Sequence, residues 1–201
     1  MALITPPAIL ADLTSGQLTL STNQRVSAAP FGGSEQAVDL LNDRWLCTLG
    51  LPPNSQANAA QLEAFIAALR GQTNTVALSH PLRKAPRGTM RGTMRLNAAA
   101  AQGAASISIT STEYQAGTTL LAGDLLGVGG LLLMVAADAS VSVANVITVT
   151  LANRLRTAQA SAAAVTWNAP TVPMRLLQTS GVQYQPGYAG AISLDFAEAI
   201  A

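Results

Sequence analysis

Residues 106–110 read SISIT, and residues 146–151 read VITVTL. The first segment alternates hydroxyl and apolar residues, which is the two-residue period of a strand with one buried face. The second segment is rich in the β-branched residues that favour strands. The apolar segment 131–135, preceded by a glycine turn at 127–130, lies at a similar spacing. Short strands at such intervals are typical of a small barrel or sandwich, so we predict a β-rich block that ends near residue 169.

One helix is predicted upstream of this block. Four apolar residues recur at i, i+3, i+4 and i+7, the stripe of an amphipathic helix: Leu62, Phe65, Ile66 and Leu69. The helix begins at Asn58 if Gln61 completes a capping box, or earlier at Asn54 or Ser55. Gly71 follows as the expected C-terminal stop.

The region around this helix is predicted to be β structure as well. Residues 40–49 are apolar enough for a strand, which the Pro52-Pro53 pair ends. Trp45 lies inside this strand, and we expect its side chain to join the apolar stripe of the helix in the core of a first domain. The expected strands outside the β-rich block are 17–21, 40–49, 75–78, 174–177 and 191–196.

The chain combines high apolarity with little charge. Of its 201 residues, 49% are hydrophobic and only 10% are charged, against about 25% charged residues in a typical soluble domain. Eleven Lys and Arg balance ten Asp and Glu, so no global charge attracts nucleic acid or an anionic membrane. Because the centres of protein interfaces are depleted of charge, we infer that much of the surface is covered in an assembly. A small Ala-rich domain of biased composition is the alternative.

Signals for catalysis, metal binding and membrane insertion are weak. Cys47 and His80 are single residues of their types, and we expect a structural role for His80. No Gly-x-Ser-x-Gly elbow occurs, and the glycines at 127–130 lack the Lys of a phosphate-binding loop. The longest apolar run, 131–137, is far shorter than the ~20 residues of a membrane-spanning helix. From these weak signals we expect a non-enzymatic protein without cofactors. Because no basic region lies near the N-terminus, as a signal peptide would need, we expect the protein to be made in the cytoplasm.

A basic stretch follows the first domain. It contains the tandem repeat RGTM-RGTM at residues 87–94, and no carboxylate occurs between Glu63 and Glu113. In a strand, positions 87 to 95 would place Arg and Thr on one face and Gly and Met on the other. The stretch fits a nucleic-acid backbone contact, an ion-paired subunit interface or a solvated edge strand. Its basic residues are Arg83, Lys84, Arg87, Arg91 and Arg95.

The features of the chain follow one another in a recognisable order. A β segment with Trp45, a Pro-Pro break and a single helix before Gly71 lead into the strand at 76–78. Three motifs follow: AQGAASISI at 101–109, LAGDLL at 121–126 and GYAGAISL at 187–194. This order, over nearly the whole chain, resembles the distal tail proteins of long-tailed bacteriophages, in the compact form without a large carbohydrate-binding C-terminal domain.

The resemblance implies a split architecture. The chain ends, 1–84 and 171–201, would form a β-barrel or sandwich domain with one helix at about 56–70. A small β-barrel of the oligonucleotide/oligosaccharide-binding (OB) type would be inserted at 85–170. Six copies of such proteins form a ring in the virion that joins the tail tube to the tail tip or baseplate. Expected partners are the tail tube protein, the tail hub and tip proteins and tail fibres, with DNA only as passing cargo and no membrane.

Two other functions remain open from the sequence. An OB-like module could bind single-stranded nucleic acid or a glycan through the basic stretch. Another ring-forming tail or connector protein would share the same composition. The repeat at 87–94 has no equivalent in the family pattern, so the resemblance assigns it no role.

Overall fold

The computed structural model describes residues 1–28, 32–113, 117–142, 145–178 and 181–200. It is mainly β with one α-helix, α1, at Gln56–Leu69, and a short 3₁₀ helix at Ala8–Ala11. This confirms the predicted fold class. The strands are β1 Leu3–Ile4, β2 Ser15–Ala28, β3 Glu35–Leu51, β4 Thr75–Ser79, β5 Arg91–Leu96, β6 Ser106–Glu113, β7 Thr119–Leu120, β8 Leu125–Val128, β9 Leu131–Met134, β10 Ala139–Ser140, β11 Ile147–Thr150, β12 Ala164–Thr166, β13 Thr171–Leu176, β14 Tyr184–Gln185, β15 Tyr188–Ala189 and β16 Ile192–Glu198.

The chain divides into two compact units. The first comprises Met1–Thr19, Trp45–Ala85 and Asn168–Ala201, and the second comprises Leu20–Arg44 and Pro86–Trp167. The expected first domain, 1–84 and 171–201, includes residues 20–44, whereas the structure groups Leu20–Arg44 with the second unit.

Polar contacts explain why residues 20–44 belong to the second unit. Asp39 and Arg154 form a salt bridge of 3.3 Å between Oδ2 and Nη2. Nη1 of Arg156 donates a hydrogen bond of 2.7 Å to the backbone oxygen of Asp43. Both arginines follow β11, so the segment is tied to the inserted unit.

The first unit is built on a six-stranded sheet in the order β1-β4-β13-β16-β3-β2. Helix α1 contacts β1 and β15. Of the possible caps, Ser55 is the one used: its Oγ accepts a hydrogen bond from the backbone N–H of Asn58. The helix ends at Arg70 in the left-handed conformation, with Gly71 next. The five residues expected in this core are all buried: Trp45, Leu62, Phe65, Ile66 and Leu69.

The second unit contains a small antiparallel barrel. Its six strands follow the order β11-β6-β5-β12-β8-β9. The two edge strands meet through a bridge between Val135 and Leu151, flanked by backbone hydrogen bonds of 2.8 Å from Ala136 to Thr150 and from Ala152 to Met134. The sheet therefore curls until its edges join. It has one strand more than the five of an OB-fold.

Candidate assembly surface

The segment of residues 20–44, which we call the arm, contains most of a long hairpin. Its two strands, β2 and β3, run antiparallel, because the backbone N–H of Thr14 donates to Gly50 at 2.9 Å and that of Asn23 donates to the Asp43 carboxylate at 3.1 Å. At about 3.3 Å per residue, 35–44 spans roughly 30 Å. All residues at 21–28 and 32–42 are exposed. The arm is thus a largely exposed hairpin, which Arg154 and Arg156 contact at Asp39 and Asp43.

The arm carries apolar side chains that the described chain covers only in part. The exposed fractions are 54% for Val26, 46% for Val38, 43% for Leu40 and 38% for Leu41. An isolated two-stranded hairpin is marginally stable in water, so arms of this kind gain stability by packing on something else. Clustered exposed apolar residues mark interaction surfaces in soluble proteins.

The strand edges of the arm are also free. β2 is the last strand of its sheet. On the side of β3 that faces away from β2, β16 pairs only with Leu46 to Leu51, so in the described residues no strand covers 35–44. Unpaired edges present backbone donors and acceptors to another chain. The arm therefore offers both an apolar surface and open hydrogen-bonding groups.

The basic stretch is not a continuous arginine face. Arg91 folds back on its own chain: Nη1 donates to the backbone oxygens of Gly88 and Met90, both at 2.7 Å, and Nη2 donates to Pro86 at 3.2 Å. Its guanidinium group also lies 5.0 Å from the ring centroid of Trp167, a cation–π distance. Arg91 is occupied internally, which corrects the expectation of one shared face and weakens the oligonucleotide-binding alternative.

The other four basic residues of the stretch are exposed: Arg83, Lys84, Arg87 and Arg95. In the described residues the guanidinium group of Arg95 has no hydrogen-bond or ion-pair partner. Arg83 and Lys84 belong to the first unit, and Arg87 and Arg95 belong to the second.

The two glycines of the repeat explain why it is not one strand. A side chain at Gly88 would collide with the backbone oxygen of Thr119. Gly92 has φ +83°, a left-handed conformation that side chains disfavour. The pairing of β5 with β6 shifts register between Arg91 and Met94. Met90 and Met94 are nevertheless both buried in the barrel core.

Asp124 is a structural carboxylate that the sequence analysis missed. Its side chain is 3% exposed and accepts three backbone hydrogen bonds, from Arg87 at 2.7 Å, Gly88 at 3.0 Å and Leu121 at 2.8 Å. It ties the start of the inserted unit to the turn before β8. The LAGDLL motif contained the signal, since Asp often accepts backbone hydrogen bonds in turns.

His80 caps a turn. Its Nδ1 accepts hydrogen bonds from the backbone N–H groups of Leu82 at 3.1 Å and Arg83 at 2.9 Å. Burial, and then the charges of Arg83 and Lys84, lower the pKa of the imidazole below its usual 6.5. The ring is therefore neutral at neutral pH and acts as an acceptor for the turn.

Cys47 lies buried in β3. Burial, and then the charge of Asp195, raise the pKa of its thiol to about 12, although Lys84 acts in the opposite direction. A nucleophilic role needs the thiolate, which this environment disfavours. In the described ranges, no group of three or more His, Cys, Asp or Glu is placed to hold a metal ion.

No model of a known protein family matches the chain, and no curated protein matches it in sequence. No helix in the described part of the chain is long and apolar enough to cross a membrane. The order of the sequence motifs and the geometry of the arm are the features of the chain that bear on its function.

Proposed function

We propose that this chain is a structural virion protein of a long-tailed bacteriophage. It forms a ring at the distal end of the tail and joins the tail tube to the tail tip or baseplate. This proposal follows the resemblance to distal tail proteins, which depends on the order of motifs along the sequence. The mechanism is geometric: each copy holds its neighbours, and the closed ring leaves a channel for DNA.

The exposed arm is the observation that carries the proposal. Its exposed residues, 21–28 and 32–42, are close in number to the roughly 20–30 residues that each side of a standard interface contributes. The apolar side chains among them, such as Val38 and Leu40, gain free energy when a second surface covers them. An arm of this size therefore supports stable association between copies.

The composition supports the same conclusion independently. A typical soluble domain has about 25% charged residues over its whole length. This chain has 10% charged residues over its whole length. Covering the arm and the surface that receives it removes apolar area from water, which resolves the conflict between low charge and solubility.

Light scattering over a concentration series, combined with two-dimensional averages of negatively stained particles, tests the proposal. We expect rings of six copies of the 20.6 kDa chain, with a mass of about 124 kDa and a visible central channel. A closed dimer or tetramer contradicts the proposal, because neither can continue a tube.

A further inference from the structure

A cavity of about 350 Å³ lies in the first unit beside β4. Most of its wall is apolar, and one basic side chain lines it. The residues that matter here are Pro6, Leu10, Leu13, Ala77, Leu78 and Lys84. The size is within the range of pockets that bind several side chains or a small ligand.

The strand beside this cavity has an incomplete edge. β1 pairs with β4 only at Thr75 and Val76, whereas β13 covers the opposite side from Val76 to Ser79. In the described residues, no strand pairs with Ala77–Ser79 on the side of β1. An open strand edge next to an apolar hollow accepts an extended segment by strand addition, with side chains entering the hollow.

The charge at the cavity selects the occupant. The Lys84 side chain is exposed, and its Nζ donates a hydrogen bond of 2.8 Å to Oγ of Ser79. It forms no salt bridge within the described part of the chain, and no carboxylate lines the cavity. A cation of this kind, beside an apolar wall, favours a segment that is extended and apolar and carries a carboxylate.

The arm combines these three properties. Its strand β3 has an open edge over 35–44 and exposes Val38 and Leu40. Glu35 starts the strand, is exposed and has no partner among the described residues. The other arm carboxylates, of Asp39 and Asp43, are already engaged. Glu35 is thus the arm carboxylate that is available to a second copy.

We propose that the arm of one copy docks into the cavity beside β4 of the next copy, with Glu35 facing Lys84. The contact joins two different surfaces, so it is heterologous, and heterologous contacts generate rings when the rotation closes. This inference rests on the proposed function, because it takes a second copy as the occupant.

Charge reversal across the contact tests the docking, with sedimentation velocity of the full chain as the readout. Lys84→Glu and Glu35→Lys should each weaken assembly about tenfold, and the double variant should recover to within about threefold of the wild type.

Arg95→Glu is the matched control, since it makes the same change in charge at an exposed site outside the cavity. Ser79→Ala separates loss of the Lys84 hydrogen bond from reversal of the charge, and we expect it to assemble normally.

The outcomes separate this inference from the proposed function. If the wild type forms rings and both single variants assemble equally well, or the double variant stays as weak as the singles, the docking is wrong while the ring remains. If the wild type does not assemble at any concentration, the ring itself is contradicted. Urea unfolding of each variant shows that a loss of assembly does not come from a loss of folding.

Discussion

At the scale of single residues, Asp124 connects two parts of the inserted unit that are distant in sequence. Its carboxylate accepts hydrogen bonds from Arg87, Gly88 and Leu121. An unsatisfied buried donor costs about 1–3 kcal/mol. Asp124→Ala removes the acceptor for one buried donor, Gly88, and two partly buried ones, so we expect it to lower the free energy of unfolding by about 2–3 kcal/mol, measured by urea denaturation.

The control for this substitution is Asp138→Ala. Asp138 is exposed and accepts one backbone hydrogen bond, from Ala122 at 2.8 Å. We expect its removal to cost less than about 1 kcal/mol, because water replaces the lost partner. Equal losses in the two variants would show that Asp124 is not the structural tie described above.

Cys47 gives a prediction about reactivity and pH. Its thiol pKa is raised to about 12 from the ordinary 9.0, so the native protein should not react with a thiol reagent at pH 8 and should react fully in denaturant. The unfolded chain loses the thiol proton above pH 9 while the folded chain keeps it. Stability from this group is therefore complete below pH 9 and is lost as pH rises toward 12. Rapid stoichiometric labelling of the native protein would disprove the assignment.

The residues that sequence reasoning missed share a physical cause. Arg91 lies on the predicted arginine face by period, yet its guanidinium group turns back to three carbonyl oxygens of its own chain. Periodicity gives the side of a strand on which a residue lies, but not the partner its long side chain finds. The hydrogen bonds of Asp124 to Arg87 and Gly88 span more than 30 positions, which no local pattern encodes.

At the scale of elements, the helix shows what the sequence can predict. Its apolar stripe depends only on a 3.6-residue period, and all four of those residues are buried. Phe65 is 5% exposed, so we expect Phe65→Ala to lower the free energy of unfolding by about 3–5 kcal/mol. Gln61→Ala, at an exposed position of the same helix, should change it by less than about 0.5 kcal/mol. A loss below about 1 kcal/mol for Phe65→Ala would contradict the packing of the helix.

The arm shows what the sequence cannot predict. The strand expected at 40–49 runs from Glu35 to Leu51, and the one expected at 17–21 continues to Ala28. Periodicity detects a strand by the core it faces, and these extensions face none, since they are exposed. Backbone pairing, which any residue can make, and polar contacts distant in sequence, such as the Asp39–Arg154 salt bridge, hold them in place. β6, by contrast, faces the barrel core, and the alternation at 106–110 predicts it.

At the scale of the whole molecule, the central claim is that copies of this chain cover one another through the arm. Two features that are independent of each other lead to it: a chain with 10% charged residues and a hairpin whose apolar side chains are open to solvent. Both are unfavourable in a monomer and favourable in a ring. The sequence predicts a covered surface from composition, and we propose that the arm is this surface, because its apolar side chains are exposed.

The most direct test of this claim is to measure the mass of the assembly by native mass spectrometry, for the wild type and for the arm variant Val38→Ser/Leu40→Ser. Both substituted side chains are exposed, so the variant should keep the folding stability of the wild type and lose only the contact between copies. We predict a hexamer of about 124 kDa for the wild type, from the 20.6 kDa chain, and a monomer for the variant. A wild type that remains monomeric, or a variant that assembles as well as the wild type, would contradict the account.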